Sequence, residues 1–498
     1  MVENSLIMKE IKGKRQLINL RDEFKLKNLG LCHGSFDIIH LGHLNHFKEA
    51  KSKVDKLIVS VTADKYIDKG DGRPFNNEEK RIKFLNHIKE VDYIYLDRSN
   101  HAVNIINTLK PDFYFKGIDY KKKDIGGNLN KEISALKKNK GKFYITNSKK
   151  YSSTKIFQNV FSNLDKEHKE ILNRISKKFN FEKIKNLLET LKNKEITIIG
   201  EPIIDSYQYC TLVGLTSKDP AISTIIKDSD SYLGGVISNA IVASQFLKTV
   251  NLITYGKSKK LNGLKKFKNI KVINISNNKK IQLKTRFINE NRLEKLLQVT
   301  NFKKNYFSEF ERDKAIKILS NIKGSLIVCD YGLGFFEKTV LKNINKSKIK
   351  KYVNVQTNSL NLGVNLFSKY SKPNYFSLDV KEWQLGIKID DINIDNVINF
   401  FGKKEQNFSY TMGKKGSILY YKKKIYKSPA FAKNVVDVTG CGDAYFIISS
   451  ILLDNKFDPD LSVFISNVYA ALYSKFLANS KTVNKNTLLR SIRNFLGD

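Results

Sequence analysis

The sequence predicts an α/β protein built from two doubly wound domains. Three observations carry that expectation. Short apolar runs rich in β-branched residues alternate with helix-like stretches over residues 29–158, and again from Glu195 onward. Each alternation holds a glycine-containing string where a strand would hand over to a helix, at 34–43 and at 439–444. At 498 residues the chain also exceeds what one hydrophobic core commonly holds.

Residues 1–28 are polar and partly helix-prone, and are expected to form an N-terminal extension. Strands are expected at the run from Leu29, at Leu57–Val61, at Val91–Leu96 and at Phe113–Phe115, with helices between them. Alternation of this kind over residues 29–158 implies a parallel sheet. Residues 159–193 are charged and contain no Pro or Gly, which predicts a helical linker. A second α/β domain is expected over 194–498, opening on the strand Glu195–Gly200. Within it, 205–235 and 280–300 alternate like strands without helices between them. They predict a small sheet standing off the main one.

Composition is globular, with 41% hydrophobic and 28% charged residues. No apolar run is long enough for a membrane span, and the first residues do not read as a signal peptide. Cys32, Cys210, Cys329 and Cys441 are scattered without a C-x-x-C pair, which fits a reducing, cytoplasmic setting. The formal net charge of +39 has two readings. It fits an anionic partner such as nucleic acid, or a lysine-rich background composition. The lysines are spread along the whole chain in short runs, which favours background and makes a nucleic-acid partner unlikely on charge alone. A basic surface would still gather phosphorylated substrates.

The string Gly34-Ser35-Phe36-Asp37-Ile38-Ile39-His40-Leu41-Gly42-His43 follows a strand and precedes a helix. Gly34 allows a tight turn and close approach to a ligand. A helix start offers N–H groups and a positive dipole suited to a triphosphate. His40 and His43, three apart, are expected on one helical face, donating to α- and β-phosphate oxygens as charge builds. Gly42 would leave room between them. Alone, the histidine spacing would equally suit a polar helix face or metal ligation; the strand–loop–helix context selects phosphate. At the other end, Thr439-Gly440-Cys441-Gly442-Asp443 places amides at a helix start, an anion hole for a transferring phosphoryl group. Asp443, in the first turn, is positioned to accept a proton from an attacking hydroxyl. Cys441 at that helix start has two readings, a thiol with lowered pKa or a tolerated small residue.

Residues 29–158 resemble the cytidylyltransferase-like nucleotidyltransferases, a Rossmann-like fold. Beside the first string, Lys69-Gly70-x-x-Arg73-Pro74, Glu79-Lys80-Arg81, Lys116-Gly117-Ile118-Asp119-Tyr120 and Tyr151-Ser152-Ser153-Thr154-Lys155-Ile156 resemble that family's motifs. The resemblance implies that Lys69 and Arg81 neutralise phosphates. It also places Ser35, Phe36, Asp37, Lys116, Asp119, Ser153 and Thr154 around the nucleotide. Ser153 and Thr154 would also cap a helix. Lys69 and Arg81 read equally well as surface cations in so basic a chain.

Residues 195–498 resemble the ribokinase-like (PfkB-type) carbohydrate kinases. The string Asp437-x-Thr439-Gly-x-Gly-Asp443-Ala-Tyr445 carries the resemblance, with Gly234-Gly235-x-x-x-Asn239 and Thr411-x-Gly413-x-x-Gly416. It implies ATP phosphates near Thr411, Gly413, Gly416 and 439–442, and sugar contacts from Asp205, Gly234, Gly235 and Asn239. Asp330-Tyr331-Gly332-x-Gly334 and Lys284-x-Arg286 with Lys295-Leu-Leu-x-Val299 resemble heptose-phosphate kinases in particular. Lys284 and Arg286 would hold a substrate phosphate, or else form an exposed edge-strand charge pair. The departures are Glu201 in place of an aspartate, Gln356-Thr357-Asn358, and Tyr375–Asp379 with Glu382 close by.

Together the resemblances imply a bifunctional heptose-phosphate kinase and heptose-1-phosphate adenylyltransferase type of enzyme with the two domains in reversed order. It would use Mg²⁺, ATP, and ATP or CTP as nucleotidyl donor, to make an ADP-heptose-like precursor for cell-surface glycan such as lipopolysaccharide. No metal ligands are assigned. In ribokinase-like enzymes lids often pair between subunits, so a homodimer is compatible. The alternative is a cytidylyltransferase for a polyol or other sugar phosphate, joined to a separate-substrate or degenerate regulatory kinase-like domain.

Overall fold

The computed structural model describes residues 10–11, 13–24, 28–67, 74–99, 101–117, 128–147, 165–301, 304–402 and 405–496. The chain divides into one unit of residues 1–163 with 489–498, and a second of residues 164–488.

The first unit is a six-stranded, all-parallel sheet. Its strands are β1 (Glu10–Ile11), β2 (Leu29–Gly34), β3 (Lys56–Thr62), β4 (Tyr93–Asp97), β5 (Phe113–Gly117) and β6 (Lys142–Thr146), in spatial order β1-β4-β3-β2-β5-β6. Alternate residues face opposite sides. Leu31, Ile58 and Tyr114 join one core with Leu17, Leu20, Ile106 and Leu136. Those last four come from helices α1 (Lys14–Phe24), α4 (Val103–Leu109) and α5 (Asn128–Lys138). Cys32, Val59 and Phe115 join another core with Phe47 and Leu85, from α2 (Leu41–Lys51) and α3 (Glu78–Asn86). Both faces are therefore covered, the arrangement the near-continuous apolar strands demand. Residues 10–24, expected as a preamble, instead supply the edge strand β1 and the core residues Leu17 and Leu20.

The second unit has a nine-stranded sheet in the order β11-β10-β7-β14-β15-β16-β17-β18-β19. In sequence these are β7 (Glu195–Gly200), β10 (Thr249–Thr254), β11 (Ile270–Asn274), β14 (Ser325–Asp330), β15 (Lys350–Val355), β16 (Tyr375–Asp379), β17 (Phe408–Thr411), β18 (Ser417–Tyr421) and β19 (Lys424–Ser428). All pairings are parallel except β17–β18 and β18–β19. The small sheet is β13-β12-β8-β9, from β8 (Pro202–Leu215), β9 (Ile222–Gly235), β12 (Gln282–Asn289) and β13 (Lys295–Asn301). It is the expected stand-off sheet, and β12 is interior to it rather than an edge strand.

The helices α6 (Lys166–Lys178) and α7 (Phe181–Thr190) correct the picture of a linker. His168 Nε2 lies 2.9 Å from the Ala430 carbonyl, Arg174 donates to the Lys427 carbonyl, and Lys485 pairs with Glu189 at 2.7 Å. Both helices are thus bound into the second unit. Its remaining helices are α8 (Val236–Ser244), α9 (Glu309–Ser320), α10 (Lys338–Lys346), α11 (Val380–Ile387), α12 (Ile394–Phe401), α13 (Cys441–Asp454) and α14 (Pro459–Tyr473); α15 (Lys485–Leu496) begins in this unit, and its residues from Leu489 on are assigned to the first. All of α8 but Ile241, and residues 444–453 of α13, are buried, as expected of helices that are apolar all round. Among the described residues no helix is long and apolar enough to cross a membrane.

Candidate active sites

In the first unit the chain leaves β2 toward β3 on one side and β5 on the other. The β2–β5 boundary is therefore the topological switch point, where open parallel sheets form a ligand crevice. The 34–43 string occupies it. The positive φ of the loop falls on Phe36 (+45°), not on Gly34. A left-handed phenylalanine costs on the order of 1 kcal/mol. Its ring is held edge-on to His43, with centroids 5.5 Å apart, and packs on Phe47 at 5.2 Å.

His40 is not on the helix face: it is the N-cap, with extended backbone (φ −145°), and its carbonyl accepts from His43 N at 2.8 Å. The two imidazoles still meet, stacked 4.0 Å apart at 20°. Gly42 is buried in the first turn beside them. Asp37 is buried and ties two loops together. Its Oδ1 accepts from Asn76 N (2.9 Å), and its carbonyl accepts from Asn76 Nδ2 (2.8 Å).

Two expected phosphate ligands turn inward instead. Arg81 is 0% exposed, and its guanidinium donates to the carbonyls of Ser35 (2.5 Å) and Asn76 (3.1 Å) and to Asp64 Oδ1 (2.5 Å). It braces the loop rather than facing a ligand. Lys116 is buried, donates to the His33 carbonyl at 3.1 Å and pairs with Glu132 at 3.6 Å. Burial first, and then the Lys116 charge, lower the His33 pKa well below its usual value and bring His46 to about 4. Both imidazoles are therefore neutral. His33 Nδ1 meets Ser60 Oγ (3.0 Å), and His46 Nδ1 meets Thr146 Oγ1 (2.7 Å). Lys69, Asp119, Ser153 and Thr154 lie outside the described residues.

In the second unit the switch point falls between β7 and β14. Glu201, just beyond β7, is turned into the protein. It is fully buried and accepts from the amides of Tyr331 (2.8 Å), Leu333 (2.7 Å) and Phe335 (3.0 Å). Burial, then Asp330 nearby, raise its pKa. Asp330 in turn takes Tyr370 Oη (2.6 Å), Lys369 Nζ (2.5 Å) and Gly332 N (3.0 Å). The D-Y-x-x-G turn is thus built around two buried carboxylates.

Lys284 and Arg286 lie on the buried face of β12, which overturns the exposed edge-strand reading. Lys284 is in register with Asp205, and Arg286 donates to Asp205 Oδ1 while lying 5.4 Å from the Tyr207 ring centre. Burial lowers the Lys284 pKa, with Asp205 opposing that shift. Gly234 makes this possible: a Cβ there would lie 2.1 Å from Asp205 Oδ2. Gly235 carries φ +59°, and a Cβ there would meet the Glu201 carbonyl at 2.5 Å. Asn239 is 1% exposed and donates to Tyr331 Oη (2.9 Å) and Cys329 Sγ (3.2 Å).

Asp443 stands in the first turn of α13, after Gly440 as N-cap. Its Oδ1 accepts from Tyr331 Oη at 3.1 Å. Burial pushes its pKa up to about 6, against the hydrogen bond from Tyr331 and the Lys284 charge. The space above Gly442 is open. The Thr411-x-Gly413-x-x-Gly416 string makes a short turn at the end of β17, closed by Met412 N donating to the Gly416 carbonyl at 2.8 Å. Burial, with Asp437 and Asp443 nearby, raises the Cys441 thiol to about 12, so the activated-thiol reading is overturned.

Three residues, Asp437, Asp379 and Glu382, have more central places than their motifs foretold. Asp437 takes Lys295 Nζ (2.7 Å), Thr439 N (3.0 Å) and Thr439 Oγ1 (2.8 Å) on one oxygen. It takes Tyr207 Oη (3.0 Å) and Ala478 N (3.1 Å) on the other. The spacing Asp379-x-x-Glu382 is a capping box at α11, with Glu382 also accepting from Thr357 N at 3.1 Å.

Residues 31–159 match the family model described as cytidylyltransferase-like, and residues 269–447 match that of the pfkB family carbohydrate kinases. The bifunctional protein HldE of Campylobacter fetus is 32% identical over 130 residues, 25% of this chain and 28% of that protein. That of Aliarcobacter butzleri is 36% identical over 120 residues, 23% and 25% of the two chains. The chain thus spans about a quarter of the length of these relatives. Phosphofructokinase-2 of Escherichia coli superposes over 61% of this chain and 100% of its own, with a TM-score of 0.50 at 12% identity. The first unit has a cytidylyltransferase-like, Rossmann-like fold and the second a ribokinase-like fold with a small β lid.

Proposed function

We propose that the chain carries two consecutive activities. The second unit phosphorylates a sugar phosphate at its anomeric hydroxyl, using ATP. The first unit then joins the resulting sugar 1-phosphate to a nucleotidyl group from ATP or CTP, giving a nucleotide sugar of the ADP-heptose kind. The observation that carries the reading is Asp443. It is a carboxylate with pKa about 6 at the start of a helix, with Lys284 and Asp205 nearby.

In the kinase step Asp443 accepts the anomeric proton as that oxygen attacks the γ-phosphorus of ATP. The bond from the γ-phosphorus to the β–γ bridging oxygen breaks, and ADP leaves. A base of pKa about 6 is mostly unprotonated at neutral pH yet still basic enough to take the proton. The first turn of α13 offers amides and dipole to the transferring group, beneath the open space above Gly442. Thr411, Gly413 and Gly416 would lie along the ATP phosphates. Lys284 and Arg286 hold the phosphate that the sugar already carries, with Asp205 fixing the guanidinium and Gly234 and Gly235 leaving room. Mg²⁺ bound to the nucleoside triphosphate would supply neutralisation of phosphate charge.

In the transferase step an oxygen of the sugar 1-phosphate attacks the α-phosphorus, and pyrophosphate leaves. His40 and His43, stacked at the start of α2, donate to the phosphate oxygens as charge develops. Purified protein, supplied with ATP or CTP and a panel of sugar phosphates, tests the reading. Asp443→Asn should abolish ADP release while sparing pyrophosphate release from a supplied sugar 1-phosphate. His43→Ala should do the reverse. Loss of both reactions in either folded variant sinks the two-site reading.

A further inference from the structure

We propose that Tyr331 is a positioning residue for Asp443, with Asn239 as its anchor. The inference rests on the reading of Asp443 as the kinase base, and it gives Asn239 a place other than direct sugar contact. Tyr331 follows β14, and its side chain is 1% exposed. Its hydroxyl has one proton to give, and the geometry spends that proton on Asp443 Oδ1 at 3.1 Å. The same oxygen accepts from Asn239 Nδ2 at 2.9 Å. Asn239 is fixed in α8, and its Nδ2 also reaches Cys329 Sγ at 3.2 Å. The chain Asn239–Tyr331–Asp443 therefore runs in one donor direction. It holds Asp443 Oδ1, and Asn239 also gives Asp443 a direct side-chain hydrogen bond.

The Tyr331 ring is itself fixed. Its amide donates to Glu201, and its carbonyl accepts from Asn358 Nδ2 (3.2 Å) and Asn361 Nδ2 (2.9 Å). The buried Glu201 carboxylate thus has a use: it sets the backbone of the residue that orients the base.

Other ionisable groups facing Asp443 come from several elements. They are Lys284 on β12, Asp205 on β8, Cys329 on β14, Glu382 on α11, Tyr473 on α14 and Cys441 on its own helix. Burial and Asp205 oppose the charged carboxylate, whereas the Tyr331 hydroxyl, Lys284 and a side-chain hydrogen bond from Asn239 favour it. Removing the hydroxyl therefore raises the Asp443 pKa.

The test is the pH profile of Tyr331→Phe, which deletes one oxygen and keeps the ring. A lost hydrogen bond to a charged group corresponds to a shift of about one pH unit. From a starting value of about 6, the acid limb of kcat/KM for the sugar phosphate should move up by that amount. The rate should be about threefold lower at pH 6.5 and close to wild type above pH 8.5. Asn239→Ala, which removes a hydrogen bond to Tyr331 and one to Asp443, should move the limb the same way. A merely structural role would lower the rate equally at every pH. A titration of ¹³C-carboxyl-labelled aspartate reads the same shift without any substrate, with the Asp443 resonance assigned by its loss in Asp443→Asn. An unmoved midpoint in Tyr331→Phe overturns the proposal. ADP release that survives in Asp443→Asn would instead overturn the reading of the base.

Discussion

Arg81 is a cation whose three guanidinium nitrogens each donate inside the protein: two to carbonyls, of Ser35 and Asn76, and one to the carboxylate of Asp64. The motif around it is legible in the sequence, but the direction of its side chain is not. That direction depends on where Asn76 and Ser35 come to lie, and those positions belong to the folded loop. Arg81→Ala should therefore destabilise the protein rather than weaken triphosphate binding. Breaking an enclosed ion pair costs about 3–5 kcal/mol. Asp64 is 35% exposed, so the expected loss is smaller, on the order of 2 kcal/mol. A denaturant midpoint, set beside the KM for the nucleotide, checks this: a KM raised tenfold at unchanged stability would return Arg81 to the phosphates. The histidines teach the same lesson. His40 and His43 meet as their spacing suggests, yet one of them reaches the pair as an N-cap outside the helix.

At the scale of elements, the lid strands are fastened to the loop before α13 through one carboxylate. Asp437 receives Tyr207 from β8 and Lys295 from β13, together with Thr439 of its own loop. The strands themselves are legible, because period-two alternation is local. The latch is not, because Lys295 and Asp437 stand 142 residues apart and only the register of the small sheet brings them together. Burial alone would raise the Asp437 pKa, but these donors bring it from 3.8 down to about 2. A depressed folded pKa gives stability that is present above the unfolded value and lost as pH falls through the folded one. The latch should thus contribute about 2 kcal/mol at neutral pH, fading between about pH 4 and pH 2. Asp437→Asn should lose that amount at pH 7 and match the wild type near pH 2. Urea titrations at the two pH values measure it, and a deficit that persists unchanged at pH 2 would assign the loss to packing.

At the scale of the whole molecule, both glycine strings and both α/β alternations were readable, because anion binding at a strand–helix junction is written in consecutive residues. The net charge of +39 is the feature that local reading leaves open. Several cations at the two sites are already committed to protein carbonyls and carboxylates: Arg81, Lys116 and Lys295. The excess positive charge therefore acts mainly as a long-range field, which raises the encounter rate with anions and is screened by salt over about 8 Å at physiological ionic strength. For phosphorylated substrates, kcat/KM should fall several-fold between about 20 and 200 mM KCl while kcat stays level, because screening slows encounter and leaves the bound geometry alone. A nucleic-acid partner would show differently, as DNA or RNA binding with a steep log–log dependence on salt. The expected outcome is salt-sensitive kcat/KM with no DNA or RNA retained at moderate salt. A flat kcat/KM would reduce the charge to background composition, and retained polynucleotide would identify a further class of ligand.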